Sequence, residues 1–538
     1  MKSIALALSV LLVAPAAAVA QHEHPVSVGD KLGTVHFETS CAASTRVDFD
    51  RAVALLHSFE YRPALESFTK VLAADPSCAI AQWGIALCHW GNPFAGIKAG
   101  PQLERGREAV QKGLATGAPT PREKAYLAAV NELFANTATV PHRDRTLAYA
   151  KAMEAVQRDH PADVEAKIFY ALAVNQTAAP TDKRYTAQLQ AAGILEPLWA
   201  RYPDHPGLPH YIIHAYDHPP LAEKALDAAR RYAKIAPSAP HALHMPSHTF
   251  TRVGSWQESV ETNIASEQEA MKAGVMAEAL HAMDYQAYAY LQLAQDQKAR
   301  AVLSRVPAVV AKLDVNAMGG AAAGVAGIYA RNAIAARYAL ERGAWAEAAA
   351  LETVSSTFPH ADAITHFARA LGAARAGTPA AAKADVERLV TLRDTLAAAK
   401  DPYWTEQVDI QRQVATAWVT FAEGKKDEAL RLMRAAADAE DATDKAAISP
   451  GPIAPARELL GEMLMEAGQP REALTAFEAT MKKEPGRFRG AYGAARAAEA
   501  AGDRAKAGAL YAQVVAGASG ADGNRPELAQ ARSFAQRR

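Results

Sequence analysis

The 538-residue sequence has little cysteine and no surplus of charge of either sign. Its 3 cysteines, Cys41, Cys78 and Cys88, are too few for a disulfide framework. One pair could form in an oxidising compartment, but we favour the simpler interpretation that Cys78 and Cys88 are small core residues on a helix. Lys and Arg together number 58, as do Asp and Glu, so nothing in the charge balance indicates binding to nucleic acid or to anionic lipid.

After its first twenty residues the sequence has no apolar run long enough to span a bilayer. Residues 1–20 combine Lys2, a short apolar run over residues 4–13 and small residues at 18–20, a pattern typical of a cleaved secretory signal peptide. We therefore expect a mature chain that begins at Gln21 and works outside the cytoplasm, in a periplasm or secreted. No transmembrane segment is expected.

Common catalytic motifs are also absent. The sequence contains no HExxH, no GxSxG and no dinucleotide-binding fingerprint. The small-residue stretch at 316–327 lacks the GK[ST] of a phosphate-binding loop, so we interpret it as a flexible connection. Any chemistry must therefore come from residues that no standard motif marks.

What the sequence does contain is helix-forming residues and a recurring turn. Ala, Leu, Glu, Arg and Lys dominate, and no stretch alternates as a strand would. A six-residue turn begins with Gly and ends in Ala or Ser. It occurs as GSWQES (254–259), GAWAEA (343–348), GKKDEA (424–429), GQPREA (468–473) and GDRAKA (502–507), and the last two begin 34 residues apart.

These features resemble the tetratricopeptide repeat (TPR) family, whose unit of 34 residues is a helix–turn–helix. In that family Gly permits the tight turn, a small residue lets the two helices approach, and Pro ends the second helix. The positions that match this pattern most clearly are Leu460, Gly461, Ala473, Phe477 and Pro485. The resemblance covers most of residues 45–515, and extends to secreted bacterial TPR-containing proteins. It implies an all-α, TPR-type α-solenoid of stacked repeats with a ligand-binding concave groove.

The repeats and linkers predict a division of the chain into six parts. These are a signal peptide at 1–20, an N-terminal extension at 21–44, a TPR-like solenoid carrying a histidine-rich groove at 45–315, degenerate helical repeats at 316–445, a C-terminal repeat pair at 446–516, and a polar, Gly-rich, disordered tail at 517–538.

Two HxxxH pairs recur at the repeat period. His210 and His214 precede His244 and His248 by 34 residues each, which places both pairs at the same register of successive repeats. Residues four apart lie on one face of a helix. Since packed helices lie roughly 8–10 Å apart and Zn–N bonds are about 2.0–2.1 Å, the two pairs could converge on one ion.

The TPR resemblance implies a larger set of residues along the same groove wall. Imidazole and carboxylate ligands suit Zn, Cu, Ni or Fe, and the identity of a bound divalent transition metal is left open. Arg252 could bind a substrate carboxylate or phosphate, or form an ordinary salt bridge. The candidate metal ligands are His210, His214, His241, His244, His248 and His281, and the candidate catalytic bases or ligands are Asp217 and Asp284.

Three alternatives stay open at this point. Four histidines alone would make a closed storage or structural site, whereas fewer ligands and an open position would permit metal-dependent catalysis. The duplicated histidines could instead be structural residues copied by descent. The main alternative to metal binding is a TPR adaptor or scaffold that holds a peptide, a partner protein or a small-molecule ligand in the groove.

Pro246 predicts either a helix that begins there, with His241 and His244 on a loop, or a kink.

Overall fold

The computed structural model describes residues 30–96, 98, 100–318 and 320–536. The predicted signal peptide at 1–20 and the expected mature N-terminus at Gln21 lie outside the described residues. Apart from Asp30, the described residues belong to one compact unit, Lys31–Arg538.

All regular secondary structure in the described part of the chain is helical, so the predicted all-α fold is confirmed. Within that part, no helix is long and apolar enough to cross a membrane. The helices, in chain order, are α1 Arg46–His57, α2 Tyr61–Ala74, α3 Ala81–Trp90, α4 Pro101–Thr116, α5 Pro121–Phe134, α6 His142–Asp159, α7 Val164–Gln176, α8 Thr186–Arg201, α9 Gly207–Tyr216, α10 Leu226–Ile235, α11 Pro240–His244, α12 Pro246–Val253, α13 Trp256–Lys272, α14 Met276–Gln292, α15 Asp296–Val310, α16 Gly324–Leu340, α17 Trp345–Ala349, α18 Pro359–Arg375, α19 Lys383–Ala398, α20 Pro402–Ala422, α21 Lys426–Ala442, α22 Ala456–Glu466, α23 Pro470–Lys483, α24 Phe488–Ala500, α25 Arg504–Gly517 and α26 Pro526–Gln536, with short 3₁₀ turns at Ala43–Thr45, Ala222–Ala225 and Pro379–Ala382.

The recurring glycines form the turns between paired helices. Gly254, Gly468 and Gly502 have φ angles of 74°, 76° and 86°, a backbone conformation that side chains disfavour. Gly461 serves a different purpose, because a Cβ atom there would lie 2.8 Å from the ring of Phe477. The small residue lets α22 and α23 pack closely, as the family pattern predicts.

The helices stack as a solenoid of repeats. Each helix packs against the next along the chain, and alternate helices also touch: α14 packs against α13, α15 and α16, and α16 packs against α18. Such a pattern of neighbour contacts is that of a repeat solenoid, in which each unit buries its apolar face on the adjacent one. The predicted all-α solenoid is confirmed.

Distant repeats also meet. The Trp256 indole donates to the backbone oxygen of Gly486 over 2.8 Å, and the Arg487 guanidinium donates to the Tyr288 hydroxyl over 2.8 Å. The N–H of Phe488 donates to the side chain of Gln292 over 3.0 Å. The C-terminal repeats therefore pack against the repeats around α13 and α14.

Two expectations from the sequence are wrong. Cys78 does not lie on a helix but in the turn before α3, and it is disulfide-bonded to Cys41, while Cys88 is a free, buried core residue. The tail expected to be disordered at 517–538 contains α26 (Pro526–Gln536), whose apolar face joins the core of the last repeats. The polar composition of residues 517–538 led to the prediction of disorder. The few apolar residues of α26 nevertheless lie on one face of the helix, which is enough to pack it against the core.

Candidate metal centre

Six buried histidines from three successive repeats meet in the interior of the solenoid. They are between 0% and 9% exposed, although each was expected on an open groove wall. This six-histidine cluster comprises His210 and His214 on α9, His241 and His244 on α11, His248 on α12, and His281 on α14.

The chain is kinked at Pro246, and no loop precedes it. Only Met245 separates α11 from α12, and its φ of −51° and ψ of −37° are helical. Proline has no N–H to donate to the preceding turn, so it interrupts the hydrogen-bond ladder without ending the helical path. Of the two possibilities raised by the sequence, the kink is found, and both His241 and His244 lie on helix.

The first trio consists of His210, His214 and His241. One ring nitrogen from each lies within 4.8 Å of the other two. The Nε2 atom of His210 lies 3.1 Å from Nε2 of His214 and 3.2 Å from Nε2 of His241. Three imidazole nitrogens therefore point at one small volume.

The second trio consists of His244, His248 and His281. Their ring nitrogens also lie within 4.8 Å of one another. The Nε2 atoms of His244 and His248 are 3.2 Å apart. The ring of His281 is tilted by 49° relative to that of His244, and the two ring centroids are 4.4 Å apart.

Both trios are built the same way. Each takes an HxxxH pair from one repeat and a third histidine, His241 or His281, from the next repeat, thirteen residues before its turn. The two pairs therefore belong to different groups and do not converge on one point, as the spacing alone had suggested. The trios are adjacent: ring centroids are 6.0 Å apart for His241 and His244 and 6.3 Å apart for His214 and His248.

Hydrogen-bond partners fix which nitrogen of His244 carries the proton. Its Nδ1 lies 2.7 Å from the side-chain oxygen of Asn263, whose amide nitrogen donates to the backbone oxygen of Ser259. The Asn263 oxygen is thus an acceptor, and Nδ1 of His244 is the donor. In the neutral ring, Nε2 then presents a lone pair.

The same reasoning applies to His248 and His210. Nδ1 of His248 donates to the Asp217 carboxylate over 2.9 Å, and Nδ1 of His210 donates to the backbone oxygen of His57 over 2.6 Å. Both rings therefore direct an Nε2 lone pair into the cluster. In the second trio, the lone pairs of His244 and His248 face each other, and neither Nε2 carries a proton. The Tyr285 hydroxyl lies 3.4 Å from Nε2 of His248 and 3.2 Å from the backbone oxygen of Ser449.

Burial keeps the six rings neutral. Loss of solvation is the largest cause that lowers the pKa of every member, and it lowers the pKa of His210 and of His281 to about 3. Neighbouring histidines lower the pKa values of His214, His241 and His244 further. Neutral imidazole is the form that binds metal ions.

Asp217 lies behind His248 and is fully engaged. Besides the His248 ring, its carboxylate accepts from Arg252 over 2.9 Å and from Lys445 over 3.2 Å. Burial opposes ionisation of Asp217, but Lys445 and Arg252 outweigh it and hold its pKa well below the usual range. Arg252 is itself buried in this salt bridge.

Asp284 points to a different partner. Its carboxylate is fully buried and lies 3.2 Å from Nε of Arg337. Burial raises the pKa of Asp284 to about 6, because it outweighs the opposing effect of the Arg337 charge. Arg337 also donates to Ser449 and to the backbone oxygens of Gly451 and Pro452. Asp284 thus helps to hold the segment around Ser449 and is not grouped with either trio.

Three non-helical segments close over the cluster; we call them the roof segments, residues 92–96, 320–323 and 443–453. From the first, Phe94 stacks on His214 with ring centroids 4.3 Å apart. From the last, the backbone oxygen of Ser449 accepts from the hydroxyl of Tyr285 over 3.2 Å. The groove at this place is therefore filled by the protein's own chain.

Two carboxyl groups lie beside the first trio, and no sequence motif or repeat pattern marked either of them. Glu60 accepts from the backbone N–H of His241 over 3.1 Å, and Glu278, which accepts from Ala322 of a roof segment, lies 4.0 Å from Nδ1 of His241. Burial raises the pKa of Glu60 to about 8 and that of Glu278 to about 7. Burial thus favours the neutral form of both carboxyl groups, and a nearby cation would favour the ionised form.

A third histidine group is structural. Glu165 accepts from His57 over 2.8 Å and from His205 over 2.9 Å, so protons already occupy the nitrogens that a metal would need. His57 supports the cluster indirectly, through its backbone oxygen on His210. Elsewhere, His366 is bonded to Asp385 over 2.7 Å, as a helix-packing residue would be.

Comparisons with known proteins assign no family. No family model and no curated protein matches the chain. Among solved structures, it resembles a crystal structure of yeast Tom70, with a TM-score of 0.34, 12% identity, and coverage of 92% of this chain and 95% of that chain. It also resembles the crystal structure of the APC/C hetero-tetramer Cut9-Hcn1, with a TM-score of 0.32, 12% identity, and coverage of 92% and 89%. These likenesses assign no activity or partner to this chain.

Proposed function

We propose that this protein is a helical solenoid that binds a transition metal in the six-histidine cluster. The observation that carries the proposal is the pair of Nε2 lone pairs on His244 and His248, which face each other at 3.2 Å in a buried site. Two neutral acceptors in contact repel each other, and burial disfavours relief by a proton. A cation between them turns the repulsion into two coordinate bonds.

The nitrogen spacing supports this. With metal–nitrogen bonds of about 2.0–2.1 Å at tetrahedral or trigonal angles, two nitrogens on one ion stand roughly 3.3–3.6 Å apart. The Nε2 separations of 3.1–3.2 Å within the trios are within a few tenths of an ångström of that range. An N–H···N hydrogen bond would also hold two ring nitrogens at this distance, but His244 and His248 both carry their proton on Nδ1, so no such bond forms between their Nε2 atoms.

The supporting hydrogen bonds fit as well. Metal-binding histidines generally donate their other N–H to a carboxylate, an amide or a backbone oxygen, which fixes the tautomer and the direction of the ring. Asn263, Asp217 and the backbone oxygen of His57 do this for His244, His248 and His210. In this proposal Asp217 is a positioning residue, since its oxygens are already occupied by three donors.

The location that we propose is outside the cytoplasm. The leader-like composition of residues 1–20 supports export, and so does the Cys41–Cys78 disulfide, because such bonds persist in oxidising compartments. We leave open whether the centre stores metal or uses it in catalysis.

An adaptor role remains the second candidate. A cavity of about 410 Å³ lies between the middle and C-terminal repeats and is lined by aromatic and charged side chains, among them Trp345, Tyr492 and Arg496 and the ion-paired Arg375, Arg489 and Glu462. A peptide bound there would not touch the histidines. Adaptor binding would therefore survive substitution of the six-histidine cluster, which separates the two functions experimentally.

The test is metal analysis of protein purified without a histidine tag. We expect the wild type to retain metal after dialysis, and both His214→Ala and His248→Ala to lose metal while circular dichroism shows unchanged helicity. His366→Ala is the matched control, because that ring is bonded to Asp385 outside the cluster, and it should keep the full metal content. If the wild type holds no metal, or if both cluster variants keep all of it, the proposal fails.

A further inference from the structure

We infer that the six-histidine cluster is a two-ion centre that binds one copper ion in each trio. The inference rests on the proposed function and specifies the number and class of the ions. It follows from how the nitrogens are grouped and from which ligands the trios offer and lack.

The grouping is the first argument. Ligand nitrogens lie within 4.8 Å of one another inside each trio, and the two trios form separate groups. An ion that binds nitrogen at about 2.0–2.1 Å cannot reach donors much more than twice that distance apart. One ion therefore binds three of the six rings and leaves the other trio without a metal.

The two trios are nevertheless neighbours. Their rings approach to 6.0 Å between His241 and His244 and to 6.3 Å between His214 and His248. Three protein ligands leave coordination positions open on each ion. Because the trios are adjacent, both ions would lie in one buried chamber beneath the roof segments, close enough for their electron spins to interact.

The ligand set favours copper. Each trio offers three neutral imidazoles and lacks the carboxylate that completes a two-histidine Fe(II) site. Three histidines can also hold a zinc ion with an open coordination position. Among divalent first-row ions, an all-nitrogen site binds Cu(II) most tightly.

The charges around the two trios differ. Behind the second trio, Arg252 and Lys445 surround the single negative charge of Asp217, which disfavours a further cation there. The first trio instead lies beside the carboxyl groups of Glu60 and Glu278, and we expect it to hold its ion more tightly.

The experiment counts ions in the full-length untagged protein and in variants of each trio. Metal-free wild type, His214→Ala, His248→Ala and the double variant are loaded with equimolar copper and zinc, dialysed and analysed by mass spectrometry. We expect two coppers in the wild type, one in each single variant and none in the double variant. His366→Ala should match the wild type.

Electron paramagnetic resonance of the Cu(II)-loaded samples tests adjacency. Each single variant should show the full signal of one isolated Cu(II), whereas neighbouring spins in the wild type should reduce the signal per copper well below that value. A wild type that holds one ion, which either substitution removes, overturns the two-ion inference and leaves the proposed function intact. Zinc bound in either trio would overturn the assignment to copper. A wild type that shows the full signal for every copper would overturn the adjacency of the two ions. A wild type that holds no metal would contradict the proposed function itself.

Discussion

At the scale of single residues, the chemistry of this protein depends on which nitrogen of each imidazole carries a proton. The HxxxH pairs supply the rings, but Asn263, Asp217 and a backbone oxygen set their tautomers. Such partners commonly change metal affinity by about 10–100-fold when removed. Substitution of the hydrogen-bond partners of the histidines is therefore as informative as substitution of the histidines themselves.

Asn263→Val should weaken metal binding by roughly ten- to a hundredfold, because His244 loses the acceptor that fixes its Nδ1 proton. Competition with a chelator of known affinity measures the change. Asn332→Val is the matched control: Asn332 is also a buried helix amide that donates to a backbone oxygen, but in the α16–α18 contact. Equal affinities for the two variants would contradict the positioning role of Asn263.

At the scale of helices, the solenoid depends on small residues where two helices cross. Gly461→Ala should destabilise the protein by about 1–3 kcal/mol, since its Cβ would lie 2.8 Å from the Phe477 ring. Gly193 on α8 has nothing within 4 Å of such an atom, so Gly193→Ala should stabilise slightly through better helix propensity. Chemical denaturation of both variants gives the two signs, and a stabilising Gly461→Ala would show that the crossing is not tightly packed.

The roof segments act at the same scale, because they link repeats that lie far apart in sequence. Lys445→Met removes the contact between segment 443–453 and Asp217, and we expect a chelator to withdraw metal several-fold faster from this variant. Lys506→Met is the control, since Lys506 forms an exposed pair with Glu478. Unchanged release kinetics in Lys445→Met would mean that metal leaves by another route.

At the scale of the whole molecule, one covalent link ties the N-terminal extension to the first repeat. The Cys41–Cys78 bond closes a loop with a sequence separation of 37, and a bond of that span stabilises a fold by about 4 kcal/mol in the chain-entropy model. Cys78→Ser should lose roughly that stability in urea unfolding. Thiol titration should detect no reactive thiol in the native protein, one after unfolding and three after reduction, whereas three without reductant would exclude the bond.

The class of the fold, the register of the repeats and the set of histidines could all be predicted from the sequence. Helix propensity and the turn glycines are local properties, and a 34-residue spacing carries one register into the next repeat. That spacing places His210 and His214 near His244 and His248, the TPR resemblance adds His241 and His281, and all six meet in the structure.

The grouping of those histidines, their orientation and their burial depend on the three-dimensional packing of the chain. The grouping depends on the kink at Pro246 and on angles between helices, which periodicity does not encode. Glu60, Phe94 and Lys445 reach the cluster from segments more than a hundred residues away, at positions where no repeat pattern marks them. The placement of these three residues depends on the folded solenoid. The repeats that carry the six histidines would leave the imidazole rings on an open groove wall, and non-local packing covers those rings with the roof segments.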